Sequence, residues 1–344
     1  MIEDARGCID YDEAGTGPTV VLVPGSCSTG AAWRPVMAQW KNNYRVVTTS
    51  LLGYGGTQER RSVADTDIAH EAEALEAVIR RAGCPVHLVG HSFGGLSALA
   101  VAMRGRVPLL SLTIAEAPAP EILRHMGEYR HYLAFRTMSD AYFSAYQAGD
   151  NAAIAQMIDF YGGAGTFASW PQRVRDYASQ TTPVNLLDWT SAYGFDLTPE
   201  LLATVRIPTL VLWGEASHPA ARRANQLLGQ CIPNAAAATI AGAAHFMIAT
   251  HAGEVAGMIA QHVAGVWRGW KPVNWRRRRT TRTEYRFAAS EKGSEASDLL
   301  LIINRMADPR SDRYSAMASP EPPSSFGKSF SFGKPSRIGS TVSA

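Results

Sequence analysis

The 344-residue chain has few of the features that mark disulfide-bonded or membrane-spanning proteins. Its four cysteines, Cys8, Cys27, Cys84 and Cys231, lie far apart and form no CxxC pair. This pattern argues against a disulfide framework or a cysteine-rich zinc site, and it favours a reducing cytoplasm. The chain has no run of about 18 apolar residues, so we expect no membrane-spanning helix.

The sequence also lacks the signals of a secretory leader and of a bound cofactor. The first residues, MIEDARGCID, contain acidic side chains where a leader would have basic ones. There is no Gly-x-Gly-x-x-Gly phosphate loop and no cluster of metal ligands. We therefore expect no metal and no cofactor, and a small molecule as the partner.

Charge is distributed unevenly along the chain. Residues 1–265 carry a formal net charge of −5, whereas residues 266–344 carry +8 and end in a serine-, proline- and glycine-rich stretch. Such a stretch buries too little apolar surface to offset its ordering entropy, so we expect 266–344 to be a disordered tail. Four consecutive arginines beside Trp275 leave nucleic acid or anionic lipid as an alternative partner. We favour a simple appendage and expect no nucleic acid to bind.

Strand and helix signals alternate over the first 118 residues. Helical periodicity, as in residues 67–82, separates short apolar runs rich in β-branched residues. These runs lie at 19–23, 44–49, 85–89 and 110–115, and two more follow at 209–213 and 237–240. Strands separated by helices predict an α/β fold with a mostly parallel, doubly wound sheet.

A long segment without clear strand signals interrupts this alternation. Residues 119–205 have helical periodicity and many aromatic side chains, and we interpret them as a helical cap or lid. The core then consists of residues 1–118 and 206–265. Within the insertion, glycines beside aromatic residues at 160–171 favour either a mobile lid or part of an apolar pocket.

The strongest motif is Gly-His-Ser-Phe-Gly at residues 90–94, directly after a predicted buried strand and before a helix of small residues. This context is typical of a nucleophile elbow, in which Ser92 occupies a strained turn above the sheet edge. Gly90 and Gly94 must be small so that the strand and the helix can approach. We therefore predict Ser92 as the nucleophile.

A serine hydroxyl needs a base, and His245 is the best candidate among the nine histidines. His245 follows the last predicted strand, and that loop opens on the same edge of a parallel sheet as Ser92. His251 is more typical of a surface or capping residue. His91 precedes the nucleophile, so we expect its side chain to point away from the site.

The acid that orients the base could be either of two carboxylates at carboxyl ends of strands. Glu116 ends the strand 110–115, and Glu215 follows the next long strand. Adjacent strands lie about 4.8 Å apart, so both are within reach of the imidazole. For the oxyanion hole we predict the backbone N–H groups of Phe93 and Ser26, with Cys27 as the reserve for the second donor.

Taken together, these motifs resemble those of the α/β-hydrolase superfamily over about residues 8–265. Pro24-Gly25 stands where many members have His-Gly, and most members place the triad aspartate where this chain has Ser217. Some branches place the acid at the end of the strand after the elbow helix, and Glu116 occupies that position. The resemblance therefore implies a Ser92–His245–Glu116 triad, with Glu215 as the alternative acid, and a helical cap.

A serine at the elbow favours acyl transfer to water over the dehalogenase and epoxide-hydrolase chemistry that uses aspartate there. The expected function is hydrolysis of a small or medium apolar ester, or of a related acyl or carbon–carbon bond substrate, through an acyl-enzyme. Two alternatives stay open at this point. One is a catalytically silent fold that binds an apolar ligand or a partner, and the other is a lyase or perhydrolase reaction on the same triad.

Overall fold

The computed structural model describes residues 1–4, 6–41 and 43–269, and a seven-stranded sheet runs through this part of the chain. The strands are β1 (Ile2–Asp4), β2 (Gly7–Ile9), β3 (Asp12–Ala14), β4 (Thr19–Val23), β5 (Arg45–Thr48), β6 (Val86–His91), β7 (Leu109–Ala115), β8 (Thr209–Gly214) and β9 (Ala235–Ile240). Strands β1 and β2 form a separate antiparallel pair, and the main sheet has the order β3-β5-β4-β6-β7-β8-β9. Within it β3 runs antiparallel to β5 and the remaining pairs are parallel. The predicted α/β fold with a mostly parallel sheet is confirmed.

Helices connect most of these strands. They are α1 (Arg34–Gln39), α2 (Ala69–Ala82), α3 (Phe93–Arg104), α4 (Pro120–His125), α5 (Tyr129–Gln147), α6 (Ile154–Gly162), α7 (Thr166–Ser169), α8 (Gln172–Gln180), α9 (Thr182–Gly194), α10 (Pro199–Leu202), α11 (Pro219–Cys231), α12 (Met247–Thr250) and α13 (Ala252–Gly269). Helix α13 continues to Gly269 and so includes the first four residues of the segment 266–344 that we predicted as a tail. The rest of the predicted tail, 270–344, lies outside the described residues.

Strand β4 shows why its sequence is a continuous apolar run. Val20 and Leu22 pack on one face of the sheet in a cluster that includes residues of α1 and α13. Val21 and Val23 pack on the opposite face, in the cluster that includes residues of α2 and α3. Because successive side chains of a strand point to opposite faces, a strand covered by helices on both sides needs apolar residues throughout.

The three N-terminal strands β1, β2 and β3 have no counterpart in the sequence analysis. Each is three residues long, and most of their side chains are partly or fully exposed. Short, exposed strands carry neither an apolar run nor a clear alternation, so their formation depends on pairing with a neighbour. For β3, that neighbour is β5.

Helices α4–α10 fill the interval between β7 and β8. Much of their aromatic content is buried, including Phe135, Tyr142, Phe143 and Tyr161. These side chains belong to the same apolar cluster as residues of α2 and α3, so the insertion packs onto one face of the core.

In the part of the chain that the structure describes, no helix is long and apolar enough to cross a bilayer.

The turn from β6 into α3 depends on two glycines. A Cβ atom at Gly90 would overlap the carbonyl oxygen of Gly94, and a Cβ at Gly94 would overlap the carbonyl oxygen of Pro24. All of these obstacles are backbone atoms, which cannot rotate aside. The close approach of strand and helix therefore requires glycine at both positions.

We predict that Gly94→Ala lowers the free energy of unfolding by about 1–3 kcal/mol or more, because the added methyl group overpacks this turn. Gly257→Ala is the matched control, since Gly257 also lies in a helix but has open space around its Cα. That control should gain about 0.5–1 kcal/mol from alanine's helix propensity. Urea unfolding of both variants would measure the difference, and equal stabilities would contradict this account of the turn.

Candidate active site

Ser92 lies at the tip of the turn between β6 and α3, with φ 55° and ψ −131°. A non-glycine residue with positive φ is uncommon and strained. The backbone N–H of Ser92 donates to the carbonyl oxygen of Ala115 at 2.9 Å, which ties the turn to the end of β7. The turn therefore presents the Ser92 hydroxyl at the carboxyl edge of the sheet, as the motif predicts.

The structure brings the predicted serine, histidine and glutamate together in one line of hydrogen bonds. His245 Nε2 lies 3.0 Å from Ser92 Oγ, and His245 Nδ1 lies 2.9 Å from Glu116 Oε1. Both His245 and Glu116 are buried. Tyr161, from α6, stacks on the imidazole with ring centroids 4.0 Å apart and fixes the plane of the ring.

Glu116 is held by more than the histidine. Its Oε2 accepts a hydrogen bond from the Gly214 backbone N–H at 3.0 Å and another from Ser217 Oγ at 2.6 Å. Burial opposes ionisation of this carboxyl, but the hydrogen bond and charge of His245, together with these two donors, hold its pKa below the ordinary glutamate value. Ser217, which stands where the resemblance places the acid of most superfamily members, thus binds the carboxylate of Glu116, the predicted acid.

The backbone around Glu116 is itself constrained. Glu116 has φ 51°, and its N–H donates to the Leu212 carbonyl at 2.8 Å. The next residue, Ala117, is bound at both its N–H and its carbonyl by the side-chain amide of Asn225 on α11, each at 3.0 Å. The sequence does not predict that Ser217 and Asn225 hold the Glu116 segment, because neither residue belongs to a recognisable motif.

The other acid candidate, Glu215, is directed elsewhere. Its side chain is exposed, and Oε2 accepts a hydrogen bond from the Gly242 N–H at 3.0 Å. His251 is only partly buried, and its Nδ1 lies 2.9 Å from Thr250 Oγ1. Neither side chain therefore takes part in the line of hydrogen bonds through His245.

The prediction that His91 points away from the site is wrong. His91 borders the active-site cavity, and its Nε2 lies 2.8 Å from the backbone carbonyl of His245. A buried imidazole needs a hydrogen-bond partner, and that carbonyl is within reach of this position. Burial, together with repulsion from His245, lowers the pKa of His91 to about 3, so the ring is uncharged near neutral pH.

The loop after β4 approaches Ser92 closely. A Cβ atom at Gly25 would lie 2.8 Å from Ser92 Cβ, so only glycine permits this contact. Ser26 and Cys27 follow directly, and Cys27 has φ 56°. On the other side, Phe93 is the first residue of α3, so the helix itself offers no acceptor for its N–H. The two residues predicted as oxyanion donors thus flank the serine from different segments.

A cavity of about 190 Å³ opens beside Ser92. Its walls come from the loop after β4, the turn before α3, helices α6 and α9, and the segment that follows His245. Most lining side chains are apolar, for example Met157, Ile158, Trp189 and Ile248. Within the described residues, no group of three or more His, Cys, Asp or Glu side chains is placed to hold a metal ion.

A buried ionic network connects the loop after β4 with the helical insertion. Asp188 on α9 accepts hydrogen bonds from Ser26 Oγ at 2.6 Å, Tyr54 Oη at 2.7 Å and Arg61 Nη1 at 2.7 Å. Arg61 also forms an ion pair with Glu59 at 2.7 Å and lies 3.5 Å from Glu71. Burial raises the pKa of Glu71 to about 8, so this carboxyl is largely protonated at neutral pH.

We predict that Arg61→Gln lowers the free energy of unfolding by about 3–5 kcal/mol, because it leaves buried carboxylates without their cation. Arg6→Gln is the control, since Arg6 pairs with Glu73 on the surface and its side chain is 45% exposed. An exposed pair contributes about 0–1 kcal/mol. Denaturant unfolding of both variants measures these free energies. A decrease below about 1 kcal/mol for Arg61→Gln would contradict the importance of the buried network.

Glu116→Gln should lower stability at neutral pH by about 1.5–3 kcal/mol, the range for hydrogen bonds to a charged group. Because the folded-state pKa of Glu116 lies below its unfolded value of about 4.3, the carboxylate stabilises the fold fully above that value. The stabilisation is lost as the pH falls through the folded-state pKa. Urea unfolding from pH 7 to pH 3 should therefore show the gap between wild type and Glu116→Gln closing in acid. A gap independent of pH would refute this assignment, and Glu215→Gln serves as the exposed control.

Several known proteins are similar to this chain in sequence. The sequence profile described as "Alpha/beta hydrolase family" matches residues 20–258. The chain is 37% identical over 99 residues to a 2-hydroxy-6-oxo-2,4-heptadienoate hydrolase of Pseudomonas putida, covering 27% of this chain and 34% of that protein. It is 36% identical over 110 residues to a pimeloyl-[acyl-carrier protein] methyl ester esterase of Aliivibrio salmonicida, covering 31% and 40%. The matches thus span between a third and two fifths of these two curated relatives.

Solved structures agree at the level of the fold. MenH from S. aureus superimposes with a TM-score of 0.61 at 19% identity, over 75% of this chain and 98% of MenH. A thermophilic esterase from Thermogutta terrifontis gives a TM-score of 0.58 at 23% identity, over 75% and 93%. With a profile that matches more than half of the chain and a sheet of the corresponding topology, this protein belongs to the α/β-hydrolase family.

Proposed function

We propose that the protein is a serine hydrolase that cleaves a small or medium, mainly apolar ester, or a related acyl or carbon–carbon bond substrate. The observation that carries this proposal is the line of hydrogen bonds from Ser92 through His245 to Glu116 beside an apolar cavity. A hydrolase of the α/β type is also what the relatives indicate, since two of them are named as a hydrolase and a methyl ester esterase.

In the first half of the proposed reaction, Ser92 Oγ attacks the substrate carbonyl carbon while His245 Nε2 takes the hydroxyl proton. Glu116 accepts the Nδ1–H hydrogen bond, which fixes the tautomer and stabilises the imidazolium that forms. The carbonyl oxygen becomes negative as the new bond forms. The backbone N–H groups of Phe93 and Ser26 would donate to it.

Collapse of this tetrahedral species expels the leaving group, which takes the proton from His245, and leaves an acyl group on Ser92 Oγ. In the second half, His245 removes a proton from a water molecule that attacks the acyl carbon. The C–Oγ bond breaks, the proton returns to Ser92, and the free acid leaves. Each half therefore uses the same base and the same oxyanion donors.

Several observations favour catalysis over a silent ligand-binding fold. A merely structural histidine has no need of a hydroxyl and a carboxylate on its two ring nitrogens at 3.0 and 2.9 Å. The strained φ of Ser92 and the buried, ionised Glu116 are costly features that catalysis explains.

We also place the protein in a reducing compartment such as the cytoplasm, because its four cysteines are free thiols.

The test is labelling by a fluorophosphonate probe, which reacts with activated serines. We expect the wild type to label and Ser92→Ala not to label. Glu116→Ala should label more slowly by about 10²-fold or more, because the imidazole loses its orienting acid. Glu215→Ala, the matched control, should stay within about twofold of the wild-type rate because its side chain does not contact His245.

Two outcomes would overturn parts of this proposal. Equal labelling rates for Glu116→Ala and wild type would remove Glu116 from the catalytic site. No labelling and no ester turnover by the wild type would favour the ligand-binding alternative over the hydrolase.

A further inference from the structure

The inner face of helix α9 carries two polar side chains into an otherwise apolar wall. Asn185, Asp188, Trp189 and Ala192 all border the cavity, and their spacing of three and four residues places them on one side of the helix. The two polar residues, Asn185 and Asp188, differ in their hydrogen bonding. Asp188 Oδ1 accepts from Arg61, and its Oδ2 accepts from Ser26 and Tyr54. Its hydrogen-bonding capacity is therefore largely used within the protein.

The side-chain oxygen of Asn185 has no such partner in the part of the chain that the structure describes. The residue is 2% exposed, and its side-chain carbonyl oxygen Oδ1 has no hydrogen-bond partner among the described residues. A buried polar atom left unpaired is costly, and nearly all such atoms in proteins are satisfied. Asn185 lines the cavity, but Oδ1 itself has almost no accessible surface, so a bound molecule supplies the missing donor when the amide turns toward the cavity.

The charges around the cavity exclude one class of ligand. Among the described residues that line it there is no lysine or arginine, and His91 is uncharged near neutral pH. The one acidic side chain in that described lining, Asp188, is already paired with Arg61, so the pair leaves no free cation for an anionic ligand. A carboxylate group on a substrate would lose its hydration in this cavity and gain no cation in return.

Resting on the serine-hydrolase function proposed above, we propose that the natural substrate is uncharged and carries a hydroxyl or N–H group that donates a hydrogen bond to Asn185 Oδ1. Apolar side chains such as Met157, Ile158 and Val174 contact the rest of the molecule. Asn185 thereby acts as a specificity residue, since it favours substrates with the donor over analogues of the same shape that lack it.

The experiment compares three ligands that share a phenyl ring: benzamide, which has N–H donors, N,N-dimethylbenzamide, which has none, and the anion benzoate. Binding is measured by calorimetry to the Ser92→Ala variant, so that it does not depend on turnover. We expect benzamide to bind about three- to tenfold more tightly than its dimethyl analogue, the range for one neutral hydrogen bond. Benzoate should bind more weakly than benzamide by more than tenfold.

Adding Asn185→Leu to this background should abolish the preference for benzamide and leave the binding of N,N-dimethylbenzamide equal or tighter. Ser191→Ala is the matched control: Ser191 lies on the same helix, is buried and also has an unpaired side-chain oxygen, but it is not among the cavity-lining residues. It should keep the full preference. Asn185→Ala should also lose the preference. Thermal unfolding of both Asn185 variants shows whether either of them has a folding defect.

The outcomes separate this inference from the function on which it rests. An unchanged preference in both Asn185 variants, or tight binding of benzoate, overturns the substrate class even if the wild type labels with a fluorophosphonate. Loss of the preference in the Asn185 variants supports the specificity residue. If the wild type fails to label while that loss is seen, the hydrolase function fails and the polar binding site stands.

Discussion

The close approach of β6, α3 and the end of β4 is the constraint on which the rest of the site depends. Gly90 and Gly94 let the backbones pass at a distance that no side chain would allow, and Gly25 does the same for the loop after β4. As a result the Ser92 side chain lies at the carboxyl edge of the sheet, between the loop after β4 and the first turn of α3. Parallel strands then deliver Glu116 and His245 to the same edge, because their carboxyl ends meet there.

The buried carboxylate shows how one departure from the common family pattern is compensated. Ser217 stands where the family resemblance places the acid of most members, and the acid that we propose is Glu116, at the end of the neighbouring strand. Ser217 Oγ donates a hydrogen bond to the second oxygen of the Glu116 carboxylate and so helps to hold it. Hydrogen bonds from Ser217 and Gly214, together with His245, offset the cost of burying the negative charge.

The helical insertion is connected to the core by polar contacts as well as apolar packing. Asp188 links α9 to Ser26 beside the serine and to Arg61 and Tyr54 in the core. Tyr161 from α6 stacks on the imidazole of His245. The same helices that form the cavity wall therefore also contact the loop after β4 and His245.

The sequence by itself determined the class of the fold, the turn that carries Ser92, the histidine that approaches it, and two candidate carboxylates. Local signals suffice there: apolar runs define buried strands, glycine spacing marks the turn, and the carboxyl ends of parallel strands meet at one edge. The choice of Glu116 over Glu215 needed the family resemblance, because both follow strands. Only the tertiary structure decided where His91 points, that Ser217 and Asn225 brace the glutamate, and that Asn185 Oδ1 is left without a partner among the described residues. The first two depend on contacts between residues 101 to 154 positions apart, such as Glu116 with Ser217 and His91 with His245. A local sequence pattern cannot predict contacts over such separations.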